Sequence, residues 1–221
     1  MSDLPACTVE RDAPVARVQL DPASWVDVVR GFVTEADALY DHLVATVAFA
    51  PSEVFRYDHW KPEPRLGAGF TPATAPHPVL VEAQRTLQHR YRVRFEGGAA
   101  LVWYRDGSDS MALHRDRDMR WLDDTVVALL VLGERRPFPI RPLAAKYDHE
   151  APDRGATHVL RPGHGDLVVM GGATQRGWQH GVPRVDGRVG GRISVQWRWT
   201  SRRGRMERGG GYAKPVHFGR G

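Results

Sequence analysis

Residues 192–199 read RISVQWRW and have the alternation of a β-strand. With a period of two, four apolar side chains share one face and four polar side chains share the other. The apolar face consists of Ile193, Val195, Trp197 and Trp199. The polar face consists of Arg192, Ser194, Gln196 and Arg198. The apolar face predicts a sheet packed on a core. The polar face has two interpretations: a surface exposed to water, or a site for an anion, since two guanidiniums can clamp a carboxylate or phosphate.

Other short runs of strand-forming residues precede this one, separated by Gly, Pro and Asp turns. They are AALVWY (99–104), TVVALLVL (125–132), FPIRP (138–142), THVL (157–160) and DLVVMGG (166–172). These runs do not alternate with helices, and neither GxGxxG nor GxxxxGK[ST] occurs. The pattern therefore favours an antiparallel sandwich over a doubly wound nucleotide fold.

Two helices are predicted before these strands. In the first, Thr34 is the predicted N-cap, apolar residues recur every four positions, and Pro51 marks the end. The second is predicted over residues 78–91. The segment 51–77 between them is rich in proline and aromatic residues, and we expect an irregular or hairpin-like segment with a functional role. The fold class predicted is α+β and mainly β, with helices on one face.

Composition narrows the possibilities further. The chain has 221 residues, which predicts one large domain or at most two small ones. It contains no apolar run of membrane-spanning length and no signal-peptide core, so we expect no membrane contact. The single cysteine, Cys7, excludes an internal disulfide and a multi-thiolate metal site. We expect a cytoplasmic monomer in which any metal is held by His, Asp or Glu.

The charge is concentrated at the C-terminus. Residues 201–221, here called the basic tail, carry six basic side chains against one acidic side chain and are rich in glycine. Such a tail suits a polyanion such as nucleic acid, and it equally suits a solvated segment with no ligand.

One spacing of ionisable residues predicts a metal site. His114 and Asp116 stand two apart, and His180 lies far enough downstream for several strands to intervene. Two histidines and a carboxylate form a facial triad that leaves positions open on Fe(II). A rival pair, His164 and Asp166, has the same spacing, but it follows a Pro–Gly turn, where the carboxylate is expected to cap backbone amides.

Six motifs in order resemble the AlkB-like Fe(II)/2-oxoglutarate dioxygenases. They are PEPRL (62–66), WYRDGSDS (103–110), HRD (114–116), GHGDLVVMGG (163–172), WQHGVP (178–183) and RISVQWR (192–198). The resemblance implies a double-stranded β-helix, or jelly-roll, core with N-terminal supporting helices over residues 26–200. An N-terminal extension, residues 1–25, would precede it, and residues 51–77 would form the substrate lid.

The resemblance also implies roles for individual residues. His114, Asp116 and His180 would bind Fe(II), with 2-oxoglutarate and O2 as co-substrates. Residues implied to hold 2-oxoglutarate are Tyr104, Arg192, Ser194 and Arg198. Residues implied to contact the substrate are Phe55, Tyr57, Trp60, Arg65, Asp118 and Trp178. The aromatic members are candidates for stacking on a flipped or single-stranded base, with ordinary core packing as the alternative.

The function predicted is oxidative demethylation of N-alkylated nucleobases in DNA or RNA, with release of formaldehyde, succinate and CO2. Two alternatives stay open. One is a 2-oxoglutarate oxygenase that acts on a protein or small molecule. The other is a nucleic-acid-binding protein without catalysis.

Overall fold

Strands account for most of the regular structure of the chain. A computed structural model describes residues 4–56, 59–116, 119–143 and 156–201. Its helices are α1 (Ala36–Thr46), α2 (Pro78–Tyr91) and the short α3 (Thr174–Gly177), with a 3-10 turn at Pro72–Thr74. Its strands are β1 (Val15–Asp21), β2 (Ser24–Val29), β3 (Ala50–Arg56), β4 (His59–Phe70), β5 (Ala99–Tyr104), β6 (Met111–His114), β7 (Thr125–Gly133), β8 (Phe138–Pro142), β9 (His158–Leu160), β10 (Asp166–Gly172), β11 (Trp178–Val182) and β12 (Arg192–Thr200).

The strands form two antiparallel sheets. The large sheet has the order β1-β2-β10-β7-β12-β5-β4-β3, and the small sheet has the order β6-β11-β8-β9. Strands that pair in either sheet are often distant in sequence, as in β2 with β10 and β5 with β12. Two such sheets facing each other form the predicted jelly-roll core.

Each face of the large sheet has its own core. On the outer face, Leu39 of α1 and Leu80 and Leu87 of α2 pack with apolar side chains of β7 and β12. On the inner face, a second cluster joins side chains of the large sheet to Phe138 and Trp178 of the small sheet. The supporting helices are therefore confirmed, and they lie on the side of the large sheet away from the small sheet.

The two faces of β12 separate as the alternation predicts. Ile193, Val195 and Trp197 are buried in the outer core against the helices. The polar residues are turned to the opposite face, where Arg192 and Ser194 are buried. The first half of the polar face is thus shielded from water, which favours the second interpretation, a site for an anion.

The helix boundaries agree with the sequence only in part. The predicted end of α1 at Pro51 is wrong: Val47 already has an extended conformation, the helix ends at Thr46, and Pro51 lies in β3. The helix α2 covers residues 78–91 as predicted. The predicted cap of α1 at Thr34 is wrong: Glu35 precedes the helix in a left-handed conformation, with φ of 48°. The Thr34 hydroxyl instead accepts a hydrogen bond of 3.1 Å from the backbone N–H of Thr8.

The N-terminal strands extend the large sheet further than the sequence suggested. β1 and β2 form an antiparallel hairpin, and β2 also pairs with β10. The predicted boundary at residue 25 therefore falls inside β2, and part of the predicted extension belongs to the sheet.

The predicted lid begins as a hairpin. β3 pairs with β4, and β4 pairs with β5, so this hairpin forms one edge of the large sheet. The inner part of β4 borders the space between the sheets, where Glu63 and Arg65 line a cavity.

Candidate metal centre and co-substrate pocket

Three predicted ligands meet between β6 and β11. His180 pairs directly with His114 across the two strands, and their ring centroids are 4.4 Å apart. Asp116 follows the end of β6, and the candidate ligand atoms of all three residues lie within 4.8 Å of one another. One metal ion can reach three atoms so grouped. The register therefore brings together the three residues that the sequence singled out.

A glycine permits the close approach of the two strands. A Cβ at Gly181 would stand 2.7 Å from the carbonyl oxygen of Met111 in the facing strand. The strand register shifts between His180 and Val182, so the irregularity is centred on this glycine. A larger residue there would push β11 away from β6 and separate the two histidines.

Hydrogen bonding orients the ring of His114. Its Nδ1 lies 2.9 Å from the carbonyl oxygen of Ala112. Because a carbonyl only accepts, Nδ1 must carry the proton, and Nε2 keeps its lone pair for a metal. Nε2 lies 3.6 Å from the Asp116 carboxylate, on the side where a shared ion would sit.

The ionisation states also suit a divalent cation. Burial above all, and the neighbouring imidazole of His114, lower the pKa of His180 to about 3, so the His180 ring is neutral at physiological pH. Burial alone would raise the pKa of Asp116, but the Arg198 guanidinium and neighbouring histidines hold it well below its usual range. A neutral imidazole at His180 and an ionised carboxylate at Asp116 are protonation states that metal binding requires.

Asp116 is held from several directions. Arg198 donates from Nε to its carboxylate at 2.7 Å and from Nη2 to the side-chain oxygen of Gln196 at 2.7 Å. The backbone N–H of Asp116 donates to the side-chain oxygen of Gln175 at 2.9 Å. Gln175 is a residue that the sequence interpretation missed, and no pattern in its neighbourhood would have revealed this contact.

A buried guanidinium at the start of β12 makes no hydrogen bond within the described part of the chain. Arg192 is fully buried, and none of its three guanidinium nitrogens makes a hydrogen bond within the described residues. Its charge lies 5.8 Å from the ring centroids of both Tyr104 and Phe138. Burial lowers the pKa of Arg192 to about 10, so it stays charged at neutral pH. An unpaired buried charge is costly, and the carboxylate of an acidic co-substrate would satisfy it.

A cavity of about 270 Å³ lies beside the ligand histidines and the rings that flank Arg192. Its lining includes His114 and His180 of the ligand cluster, together with Tyr104, Ser194 and Arg198. Tyr104 is almost completely buried, and burial raises the pKa of its phenol, so the hydroxyl remains a hydrogen-bond donor. Three of the four residues predicted to hold 2-oxoglutarate therefore line this cavity, and the fourth, Arg192, lies behind the rings of Tyr104 and Phe138.

A second charged pair lies at the β4 side of the same cavity. Arg65 forms an ion pair with Glu63, and the Glu63 carboxylate also accepts from the hydroxyl of Ser52 at 2.8 Å. All three residues line the cavity. The sequence prediction included Arg65 alone; Glu63 belongs to the same PEPRL motif but was overlooked.

The remaining predicted substrate residues have different positions. Trp178 is fully buried between the sheets, and its indole N–H donates to Asp21 at 2.7 Å. A stacking role for Trp178 is therefore wrong, because the ring belongs to the core. Trp60 is 65% exposed on the β3–β4 hairpin. Tyr57, Asp118 and the side chain of Phe55 lie outside the described residues.

The rival His–Asp pair has a structural role. The buried carboxylate of Asp166 accepts hydrogen bonds from Arg30 and Arg135 and from the backbone N–H groups of Gly31 and Gly163. The ring of His164 instead faces the first turn of α1. This agrees with the predicted turn and leaves His164 with no place in the ligand cluster.

A family model for the 2OG-Fe(II) oxygenase superfamily matches residues 45–198, which include every strand that carries the cluster. The chain belongs to this superfamily. The resemblance to AlkB-like dioxygenases is confirmed, and at the level of the family so is the predicted use of Fe(II), 2-oxoglutarate and O2 by an enzyme.

Relatives of known name point the same way. The chain is 30% identical to alpha-ketoglutarate-dependent dioxygenase alkB homolog 3 of Mus musculus, over 77% of this chain and 65% of that protein. The Homo sapiens protein of the same name is also 30% identical, with the same coverage. The chain thus spans about 65% of the length of these relatives.

A solved structure supports the fold. An oxidoreductase of the 2OG-Fe(II) oxygenase family from Burkholderia pseudomallei superposes with a TM-score of 0.51 at 14% identity, over 81% of this chain and 86% of that one. Within the described residues, no helix is long and apolar enough to cross a membrane. All of the basic tail except Ser201 lies outside the described residues.

Proposed function

We propose that this oxygenase oxidatively demethylates N-alkylated nucleobases in DNA or RNA, with release of formaldehyde, succinate and CO2. One observation carries the chemistry: two histidines of the ligand cluster line a cavity, and the buried guanidinium of Arg192, which makes no hydrogen bond within the described residues, lies 5.8 Å from the ring centroids of two further lining residues, Tyr104 and Phe138. A metal site and a buried cation beside one cavity suit a dicarboxylate co-substrate, because one carboxylate would bind the metal and the other would pair with the guanidinium.

In this proposal, His114, Asp116 and His180 hold Fe(II). When bound, the ion would couple two reactions: the decarboxylation of 2-oxoglutarate and the oxidation of a substrate C–H bond by O2. The chain contributes the ligand geometry. Arg198 keeps the Asp116 carboxylate ionised and oriented, and the Ala112 carbonyl fixes the His114 tautomer.

Arg192 would pair with the distal carboxylate of 2-oxoglutarate. Tyr104 is its cross-strand partner, so the phenol and the guanidinium approach one carboxylate from neighbouring strands. Ser194 adds a hydroxyl from the same face of β12. A carboxylate that accepts several hydrogen bonds in a buried site is held in one orientation. This would position the other end of 2-oxoglutarate at the metal.

The walls of the cavity would keep water away from the reacting atoms. Leu101, Val127, Leu129 and Phe138 line it between the polar groups, and each of these side chains is buried. Exclusion of water strengthens the electrostatic contacts inside and limits side reactions.

The nucleobase substrate is supported by three features. The relatives at 30% identity are alkB homologs, and the AlkB-like resemblance implies N-alkyl bases as substrates. The exposed Trp60 on the edge hairpin offers an aromatic surface, while Arg65 and Glu63 offer polar groups inside the cavity. The basic tail would add contacts to phosphates.

The test is a turnover assay on modified oligonucleotides. Protein loaded anaerobically with Fe(II) is given 2-oxoglutarate and O2 with oligonucleotides that carry 1-methyladenine or 3-methylcytosine. Succinate formation together with the loss of one methyl mass from the oligonucleotide is the expected result. Succinate with an unchanged oligonucleotide would overturn the nucleobase substrate and favour a protein or small molecule. Binding of the oligonucleotide without succinate would contradict the proposed chemistry.

A further inference from the structure

The ligand carboxylate lies outside the regular strands. β6 ends at His114, so no strand pairing holds the backbone of Asp116. Its carbonyl accepts from the N–H of Met119 at 2.9 Å, and its N–H donates to Gln175 at 2.9 Å. The position of this ligand therefore depends on contacts made by other segments.

The contact to Gln175 crosses from one ligand-bearing segment to another. Gln175 lies in α3, the four-residue helix that directly precedes the strand of His180. A second contact runs in parallel, because the guanidinium of Arg115 donates to the backbone carbonyl of Arg176 at 3.0 Å. The helix α3 thus joins the segment that carries Asp116 to the strand that carries the second histidine.

The chemistry of the amide shows which atom makes the contact. A backbone N–H donates, so only the side-chain oxygen of Gln175 can face it. The side-chain nitrogen is buried and has no hydrogen-bond partner within the described residues. A fully buried amide with an unpaired donor is a poor contributor to folding stability.

We infer that Gln175 is a positioning residue for the metal ligand Asp116: its side-chain oxygen fixes the backbone of this ligand relative to His180. Arg198 holds the carboxylate end, and Gln175 holds the backbone end. With both held, the carboxylate and the two imidazoles face one point before a metal arrives. This inference rests on the proposed ligand assignment.

The test compares two buried glutamines. Gln175→Met keeps the size of the side chain and removes the acceptor. Gln84→Met is the matched control, because Gln84 is a buried glutamine whose oxygen accepts from the indole N–H of Trp197 in the outer core. Co(II) is titrated into the metal-depleted full chain by calorimetry, its visible ligand-field absorption is recorded, and the metal-depleted variants are unfolded with urea.

Gln175→Met is expected to weaken Co(II) binding about 10- to 100-fold and to change the shape of the absorption band. Its urea midpoint should stay close to that of the unaltered chain, because removal of the buried, unpaired side-chain nitrogen offsets the acceptor that the Asp116 N–H loses. Gln84→Met is expected to lower the urea midpoint, because the indole loses its acceptor, and to bind Co(II) as the unaltered chain does. An unchanged Co(II) affinity and band in Gln175→Met would overturn the inference.

Two further variants distinguish failure of the positioning inference from failure of the ligand assignment and from misfolding. If Asp116→Ala binds Co(II) as tightly as the unaltered chain, the ligand assignment itself has failed. If Gln175→Met does not fold, Gln175→Leu replaces it with another apolar side chain of similar volume. Failure of both to fold would show that Gln175 acts in folding rather than in ligand positioning, which would also overturn the inference.

Discussion

Replacement of Arg192 by methionine should raise the stability of the ligand-free protein and lower its affinity for the co-substrate. The guanidinium is fully buried and unpaired within the described residues, and burial depresses its pKa to about 10. Relative to the ordinary arginine value, this corresponds to about 3 kcal/mol of unfavourable free energy in the folded, ligand-free protein. The cost is fully present at neutral pH, below the folded-state pKa, and it decreases as the pH rises above about 10.

Arg192→Met should therefore raise the free energy of unfolding of the ligand-free protein by roughly 1–3 kcal/mol, since some ring contact is also lost. The same change should raise the Kd for 2-oxoglutarate by about 30-fold or more, because removal of one partner of a buried charge pair costs about 2–5 kcal/mol. Urea unfolding measures the first quantity. Anaerobic calorimetry with Mn(II) and 2-oxoglutarate measures the second.

Arg136 provides the matched control. It is equally buried, but it donates to the backbone carbonyls of Asp106, Asp109 and Pro183. Arg136→Met should destabilise the protein, because these carbonyls lose their donor. An Arg192→Met variant that is destabilised like the control and binds 2-oxoglutarate normally would refute the reasoning.

Three further predictions address the ligands, the aromatic surface and the tail. Asp116→Ala should abolish Fe(II) binding with the fold retained, whereas His164→Ala should bind Fe(II) normally. Calorimetry measures both, and Fe(II) binding by Asp116→Ala together with its loss in His164→Ala would favour the rival pair. Trp60→Ala should weaken oligonucleotide binding by about 1–3 kcal/mol if a base stacks on it. Trp178→Phe should lower the melting temperature with unchanged oligonucleotide affinity, and an affinity loss would restore its predicted stacking role. Deletion of the basic tail should lower oligonucleotide affinity and reduce its dependence on salt, and an unchanged salt slope in a fluorescence titration would exclude phosphate contacts by the tail.

Much of the fold was predictable because the spacing of apolar residues along a helix or strand indicates which of its side chains are buried. The helix α2 and the strands β5, β7, β8, β9, β10 and β12 have the predicted positions, since most of their apolar residues face one of two cores. The strands β6 and β11 were not predicted. The two faces of β12 followed from alternation alone. The hairpin of β1 and β2 was missed because its turn, around Asp21, interrupts a stretch too short to identify by composition.

Orientation and long-range contacts were less predictable. The sequence could not show that the Trp178 ring points into the core, because aromatic residues suit a core and a stacking surface equally. The Gln175 contact joins residues 59 positions apart, and nothing in either segment encodes the partner. The metal ligands could be proposed because a facial triad needs a particular set of residue types, and the register of β6 and β11 then placed them side by side.

The most direct test of the metal and co-substrate site is an anaerobic titration of the metal-depleted chain with Fe(II) in the presence of 2-oxoglutarate, followed by visible absorption. A charge-transfer band should grow until one Fe(II) is bound per chain, and it should be absent in Asp116→Ala. A chain that binds Fe(II) without such a band, or an equal band in Asp116→Ala, would contradict the assignment of this site.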